Sequence, residues 1–272
     1  MQLRNHWTLC CIFGIPIKLN LSVLLLAAYL IFSFFNAEMP VMSILLGGYI
    51  AIVLLVSILL HELAHSVVAM LFGGRVRDIT LQLLGGCASI TRMPPKPWHE
   101  CLMAFAGPLC SILLAVIAAG CAILFGETHE GWNARGEFVR IFRENFWWQL
   151  VAMLNMGLAC FNLLPAFPMD GGRMLRSALQ IFGKSKVTAT EIAVQVGRGF
   201  AGLWVVLAGL DFFFNVQIPC PAFFPQWIDY LWDIVFGSGG IIRLLIAYMI
   251  WNAGQHELDY VRAEAEYYGG WR

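Results

Sequence analysis

Charge is scarce in this sequence. Asp, Glu, Lys and Arg make up 12% of its 272 residues, against 60% hydrophobic residues, a balance too apolar for an ordinary soluble domain. The formal net charge is zero. No basic block and no basic–aromatic interleaving occurs, so no nucleic acid partner is expected. The eight cysteines are scattered, with Cys10 and Cys11 adjacent and no C-x-x-C pair. That excludes both a disulfide framework and a thiolate zinc site. No repeat of fixed period and no Gly/Ser- or Pro-rich linker divides the chain. A cleaved leader is not expected either, because the first apolar run follows Lys18 and Asn20 with no small-residue processing site ahead of it.

What the sequence does contain is a series of long apolar runs. Leu21 to Phe35, Val41 to Phe72, Cys101 to Phe125, Phe146 to Leu164 and Phe200 to Ile218 approach or exceed the roughly 20 apolar residues of a bilayer-crossing helix. A sixth run, between Ile234 and Ala253, is interrupted by Arg243, which is costly in a bilayer unless it pairs or snorkels. The expected fold is an all-α polytopic membrane protein with about six transmembrane helices. Counting six spans, Arg4, Lys18, Arg75, Arg77, Arg92, Lys96, Arg173, Arg176, Lys184, Lys186, Arg198, Arg262 and Arg272 fall on one side. Only Arg135, Arg140 and Arg143 fall on the other. The excess of basic loops on the first side places both termini in the cytoplasm.

Between the second and third spans, Ile79, Leu81 and Leu83 alternate with Thr80, Gln82 and Leu84, followed by Gly85-Gly86. This predicts a small cytoplasmic β-hairpin or sheet. Residues 1–254 read as one membrane-embedded domain. The polar tail, 255–272, carries Glu257, Asp259, Glu264 and Glu266 and reads as a solvated helix end or a disordered stretch. The loop from Gly126 to Phe146 is expected either on the outer surface or as a cap over the substrate.

The second span contains His61-Glu62-Leu63-Ala64-His65. Positions i and i+4 share one face of a helix, so both imidazoles can reach one metal ion. Glu62, next to the first ligand, can take a proton from water at the metal, the division of labour of H-E-x-x-H zinc hydrolases. Helix-packing polar residues are the bland alternative. It is weakened by the cost of burying three ionisable groups in a bilayer, about 2–3 kcal/mol apiece for charged forms. His61 would lie about 16 Å below the end of the span at Phe72.

A hydrolytic zinc needs a third protein ligand and an open position. His6, His99, His129 and His256 fall in terminal or loop regions and read as exposed or interfacial. The better candidate is Asp170, in Asn162-Leu163-Leu164-Pro165-Ala166-Phe167-Pro168-Met169-Asp170-Gly171-Gly172. Two prolines and a Gly-Gly pair cannot continue a regular helix, so the fourth span must unwind here, at the end where His65 also lies. A turn in which Asp170 caps the next helix is the alternative.

Together, His61 to His65 and Asn162 to Gly172 resemble the site-2 protease family of intramembrane zinc metalloproteases. The likeness extends to Arg77-Asp78-Ile79-Thr80, Gly85-Gly86, Ala106-Gly107-Pro108 and Asn155, covering residues 11 to 255. It implies one zinc ion per chain held by His61, His65 and Asp170, with Glu62 as catalytic base and Asn162 holding the substrate backbone or the oxyanion. The implied substrate is a single-span membrane protein cut within the lipid bilayer, and the implied location is a prokaryotic plasma membrane. The subgroup it resembles often carries C-terminal CBS domains, which the short tail after Ala253 is expected to lack; no PDZ insertion is expected either. Where family members usually show an asparagine after Gly-Pro, this chain has Cys110-Ser111. A membrane metal transporter or sensor using the same His and Asp residues is the rival class; it would need Glu62 as a ligand and cut no peptide.

Overall fold

In a computed structural model of the chain, residues 6–82, 85–92, 96–125, 144–214 and 240–269 are described. They form strands β1 (His6–Ile12), β2 (Ile15–Asn20), β3 (Arg75–Gln82) and β4 (Gly85–Arg92). The helices are α1 (Ser22–Ser33), α2 (Pro40–Leu71), α3 (Pro97–Phe125), α4 (Glu144–Asn162), α5 (Asp170–Ile181), α6 (Lys186–Phe214) and α7 (Gly240–Gly269). They fall into two compact units, one of Met1–Pro95 with Ala106–Ala159, the other of Lys96–Phe105 with Cys160–Arg272.

The first unit is built on α2, a 32-residue helix that starts on a proline at its first turn, where the missing N–H is no loss. It stops at Gly73, whose φ of +79° suits the left-handed residue past a helix end. Gly74 then lies so close to α2 that a Cβ there would come within 2.7 Å of the Ala69 carbonyl oxygen. The chain turns back into β3, an inner strand of a four-stranded sheet of order β1-β2-β3-β4. β1 and β2 are antiparallel, β2 and β3 parallel, β3 and β4 antiparallel. Ile15, Ile17, Ile79 and Leu81 are buried with Val23 of α1 against Leu55, Ile58, Leu59 and Leu63 of α2.

The expected hairpin is thus half of a larger sheet, because residues 6–20 supply two more strands. The signal for them was present: Ile15, Ile17 and Leu19 alternate with Pro16, Lys18 and Asn20, and it is the odd set that turns to the core. Leu83 and Leu84, part of the pattern that predicted the hairpin, lie outside the described residues.

The helices α2, α3 and α6 are long and apolar enough to cross a membrane, and 33%, 28% and 33% of their most apolar stretches are buried inside the structure. The outward remainder carries large apolar side chains, among them Leu45 and Ile52 on α2, Ile117 and Ile123 on α3, and Val206 and Phe212 on α6. Such a surface suits lipid rather than water. The first expected span differs: α1 has 12 residues, about 18 Å of helix, shorter than the hydrocarbon thickness. Most of the loop expected on the outer surface or as a substrate cap, residues 126–143, lies outside the described residues. So do the end of the fifth run at 215–218 and residues 234–239 of the sixth. The expected tail is the continuation of α7, which runs unbroken to Gly269.

The second unit packs α6 and α7 with the segment before α5 around Ala166, Met169, Ala201, Trp204, Ala247 and Ile250, with alanines allowing close helix approach. The arginine that interrupts the sixth run is accounted for here. Arg243 is buried, donates to Asp211 at 3.1 Å and to the Leu207 carbonyl at 3.0 Å. Arg176 of α5 is likewise buried between Glu100 and Glu257 and donates to both carboxylates.

Candidate metal centre

His61 and His65 project from one face of α2, 3% and 7% exposed, with ring centroids 4.8 Å apart. Their Nε2 atoms converge. A Cβ placed on Gly107 of α3 would lie 2.2 Å from His65 Nε2 and 2.6 Å from His61 Nε2, so both imidazoles address a space that exists because residue 107 has no side chain. The other ring nitrogen of His61, Nδ1, lies 3.0 Å from the hydroxyl of Ser111, one turn further along α3 and fully buried. A hydrogen bond at Nδ1 fixes the ring and leaves Nε2 as the nitrogen available to a metal ion. The sequence marked Cys110-Ser111 only as a departure from the family's usual asparagine, not as a partner of His61.

Glu62 is half-buried beside them. Its Oε2 accepts a hydrogen bond from the backbone N–H of Ala88, 3.2 Å away on β4. The strand comes this close because residue 86 is glycine: a Cβ there would lie 2.3 Å from Glu62 Cγ. Asn155 of α4 donates to Ser57 Oγ at 2.9 Å, one turn before His61 on α2, and to its own helix at the Val151 carbonyl. It is an interhelical hydrogen bond of the kind that holds membrane helices together.

In the second unit, α4 ends at Asn162, and the segment to Met169 turns back on itself before α5 begins. Cβ atoms on Gly171 and Gly172 would lie 2.3 Å from the Leu163 carbonyl oxygen and 2.7 Å from the Ala166 carbonyl carbon, so the Gly-Gly pair is what lets the turn fold against the helix start. Asp170 is the first residue of α5 and is buried. The cap position itself is held by Met169, with no side-chain hydrogen bond, so Asp170 is not serving as the N-cap. Its charge sits at the positive end of the helix dipole, where a carboxylate is favoured. His61 and His65 are thus two buried candidate metal ligands on α2, and Asp170 is a third, buried in the second unit. Asn162 is half-buried. His6 and His256 are exposed and His99 is half-buried in the first turn of α3; His129 lies outside the described residues.

Away from the helices, β3 carries a buried acid. Burial alone would raise the pKa of Asp78, but Lys18 at 2.8 Å, the Ser89 hydroxyl at 2.9 Å and Arg77 at 3.0 Å donate to its carboxylate and lower it to about 2. Asp78 locks β2, β3 and β4 together from one side chain.

Residues 49–144 and 132–204 match Peptidase family M50. The chain belongs to that family. A relative, a zinc metalloprotease of Methanocaldococcus jannaschii, is 33% identical over 201 residues, 73% of this chain and 52% of its own length. A Synechocystis relative is 32% identical over 247 residues, 89% of this chain and 61% of the relative. The chain therefore spans between half and two thirds of the length of these curated relatives. The solved site-2 protease of Methanocaldococcus jannaschii superposes with a TM-score of 0.58 at 26% identity, covering 93% of this chain and 95% of that one.

Proposed function

We propose that this M50 chain is an intramembrane zinc metalloprotease that hydrolyses peptide bonds within or next to the transmembrane segment of a single-span membrane protein. The observation that carries the proposal is the convergence of the His61 and His65 Nε2 atoms on the space beside Gly107, with a carboxylate on the intervening residue. In this reading His61, His65 and Asp170 hold one zinc ion. Two neutral imidazoles and a carboxylate suit zinc, and three protein ligands leave the open position a hydrolase requires. When bound, zinc polarises the scissile carbonyl and acidifies water.

The rest is work for the chain's own side chains. Glu62 takes the proton from the attacking water and returns it to the leaving amine, and the Ala88 N–H holds its carboxylate in place between the two transfers. Asn162 donates to the substrate backbone or to the developing oxyanion. A helical substrate hides its amides and must be unwound first. β4 is at the edge of the sheet and lies against Glu62, so an extended substrate segment added along that edge would reach the base in register. The bilayer topology we propose has six crossings, with both termini in the cytoplasm and the sheet on the cytoplasmic side of a prokaryotic plasma membrane. Relatives from bacteria and an archaeon support that setting.

The test compares cleavage of a tagged single-span protein by purified wild type and Glu62→Gln in detergent, with zinc measured on both. The expected outcome is about one zinc per chain in each and a loss of cleavage in the variant of about 10²- to 10⁴-fold. Loss of zinc from the variant would assign Glu62 to the metal instead and turn the reading toward a transport site.

A further inference from the structure

One end of the sheet gathers features that the protease reading does not use. Because β2 runs parallel to β3 and β4 antiparallel to it, the β1–β2 turn, the start of β3 and the finish of β4 all lie at that end, where α2 also stops. Arg75 and Arg92 are Cα partners directly across β3 and β4, and both are exposed. Like charges directly opposite destabilise a strand pair, and among the described residues no carboxylate pairs with either; Asp78 is taken by Lys18 and Arg77.

The turn beside them is equally unusual. Phe13 and Gly14 have φ of 51° and 78°, the two-residue hairpin turn that favours Asn-Gly or Asp-Gly. A phenylalanine in the left-handed region is strained, and strain retained in a fold points to a use for the side chain. Phe13 is 73% exposed and Leu71, the last residue of α2, is 75% exposed; together with Val67 and Met70 they line one shallow apolar hollow. Aromatic and aliphatic tips at the same end of the sheet as paired arginines, at the end of a membrane-length helix, match the two layers of a phospholipid at the membrane surface: apolar upper acyl chain, then phosphate.

We propose that this end of the sheet is a docking site for an anionic phospholipid, with Arg75 and Arg92 sharing the phosphate and Phe13 and Leu71 inserted below it. The bound phosphate cancels the repulsion between the two guanidinium groups and anchors β3 and β4 at the membrane surface.

The test uses the full chain in a zwitterionic detergent, titrated separately with short-chain phosphatidylglycerol, phosphatidylcholine of equal chain length, and inorganic phosphate. Binding is read by native mass spectrometry and by the thermal unfolding midpoint. Saturable phosphatidylglycerol binding is expected, about 30-fold weaker in the Arg75→Gln/Arg92→Gln variant at low ionic strength. Phe13→Asn should also weaken it while relaxing the turn, since asparagine tolerates the left-handed region. That variant carries the test alone if the arginine pair fails to fold. Wild-type phosphatidylglycerol binding by the folded variants overturns the proposal. So does equal binding of phosphatidylcholine, which marks a general lipid contact, or saturation by inorganic phosphate, which marks a free-anion site.

Discussion

At the scale of single residues, Gly107 and Ser111 decide more about the proposed metal centre than their chemistry suggests. Gly107 contributes only the space into which two Nε2 atoms point. Gly107→Ala would put a methyl group 2.2 Å from His65 Nε2, inside van der Waals contact with a ring that α2 cannot easily move. The expected outcome is a folded protein that retains little or no zinc, measured by metal analysis on purified wild type and variant. Ser111 stands where the family resemblance led one to expect asparagine, and its hydroxyl meets His61 Nδ1. Removing a hydrogen bond behind a metal ligand typically weakens metal affinity about 10- to 100-fold. Ser111→Ala should therefore release zinc at lower chelator concentration than wild type, while Ser111→Thr, which keeps the hydroxyl, should recover much of the loss. Equal chelator profiles for wild type and Ser111→Ala would reduce the contact to packing.

At the scale of elements, the sheet serves as the frame for Glu62, the proposed catalytic base. Its order places β4 at one edge, Gly86 lets that edge reach Glu62, and the Ala88 N–H holds the carboxylate. The sheet in turn depends on Asp78, which takes hydrogen bonds from β2, β3 and β4. With the folded-state pKa lowered from 3.8 to about 2, its ionised form stabilises the fold above about pH 4. That contribution disappears as the pH falls from there through 2. The difference in unfolding midpoint between wild type and Asp78→Asn should thus be constant near neutrality and vanish in that acid window. A difference that persists below pH 2 would show that Asn disturbs the sheet by some route other than charge. Leu81 is buried in the sheet core. Proline there would undo the frame itself rather than a substrate-accepting edge.

At the scale of the whole molecule, buried charges mark how an apolar chain accommodates arginine. Arg243 sits in a hydrophobic helix and is held by Asp211 and a carbonyl of α6, so the charge that interrupts the sixth run becomes compatible with a crossing there. The proposed topology then has a direct consequence. A reporter enzyme fused after Gly269 should be active only when its cytoplasmic form is used, and one inserted in the 126–143 segment only in its exported form. The reverse pattern at either site would change the span count or the orientation.

Features that depend on near neighbours along the chain were legible before any folding was considered. Helical spacing put His61 and His65 on one face with Glu62 between them, hydropathy marked the long helices, and prolines with Gly171-Gly172 marked the break before Asp170. All of these follow from covalent geometry and local burial, which act within a few residues. What meets across long separations emerged only with the packed molecule. Ser111 reaches His61 from 50 residues away and Ala88 reaches Glu62 from 26, and neither pairing leaves a trace in the intervening sequence. The same holds for residues 6–20: their alternation was readable, but a lone hairpin is marginal in stability, and only packing against β3 and α2 makes those residues part of the sheet.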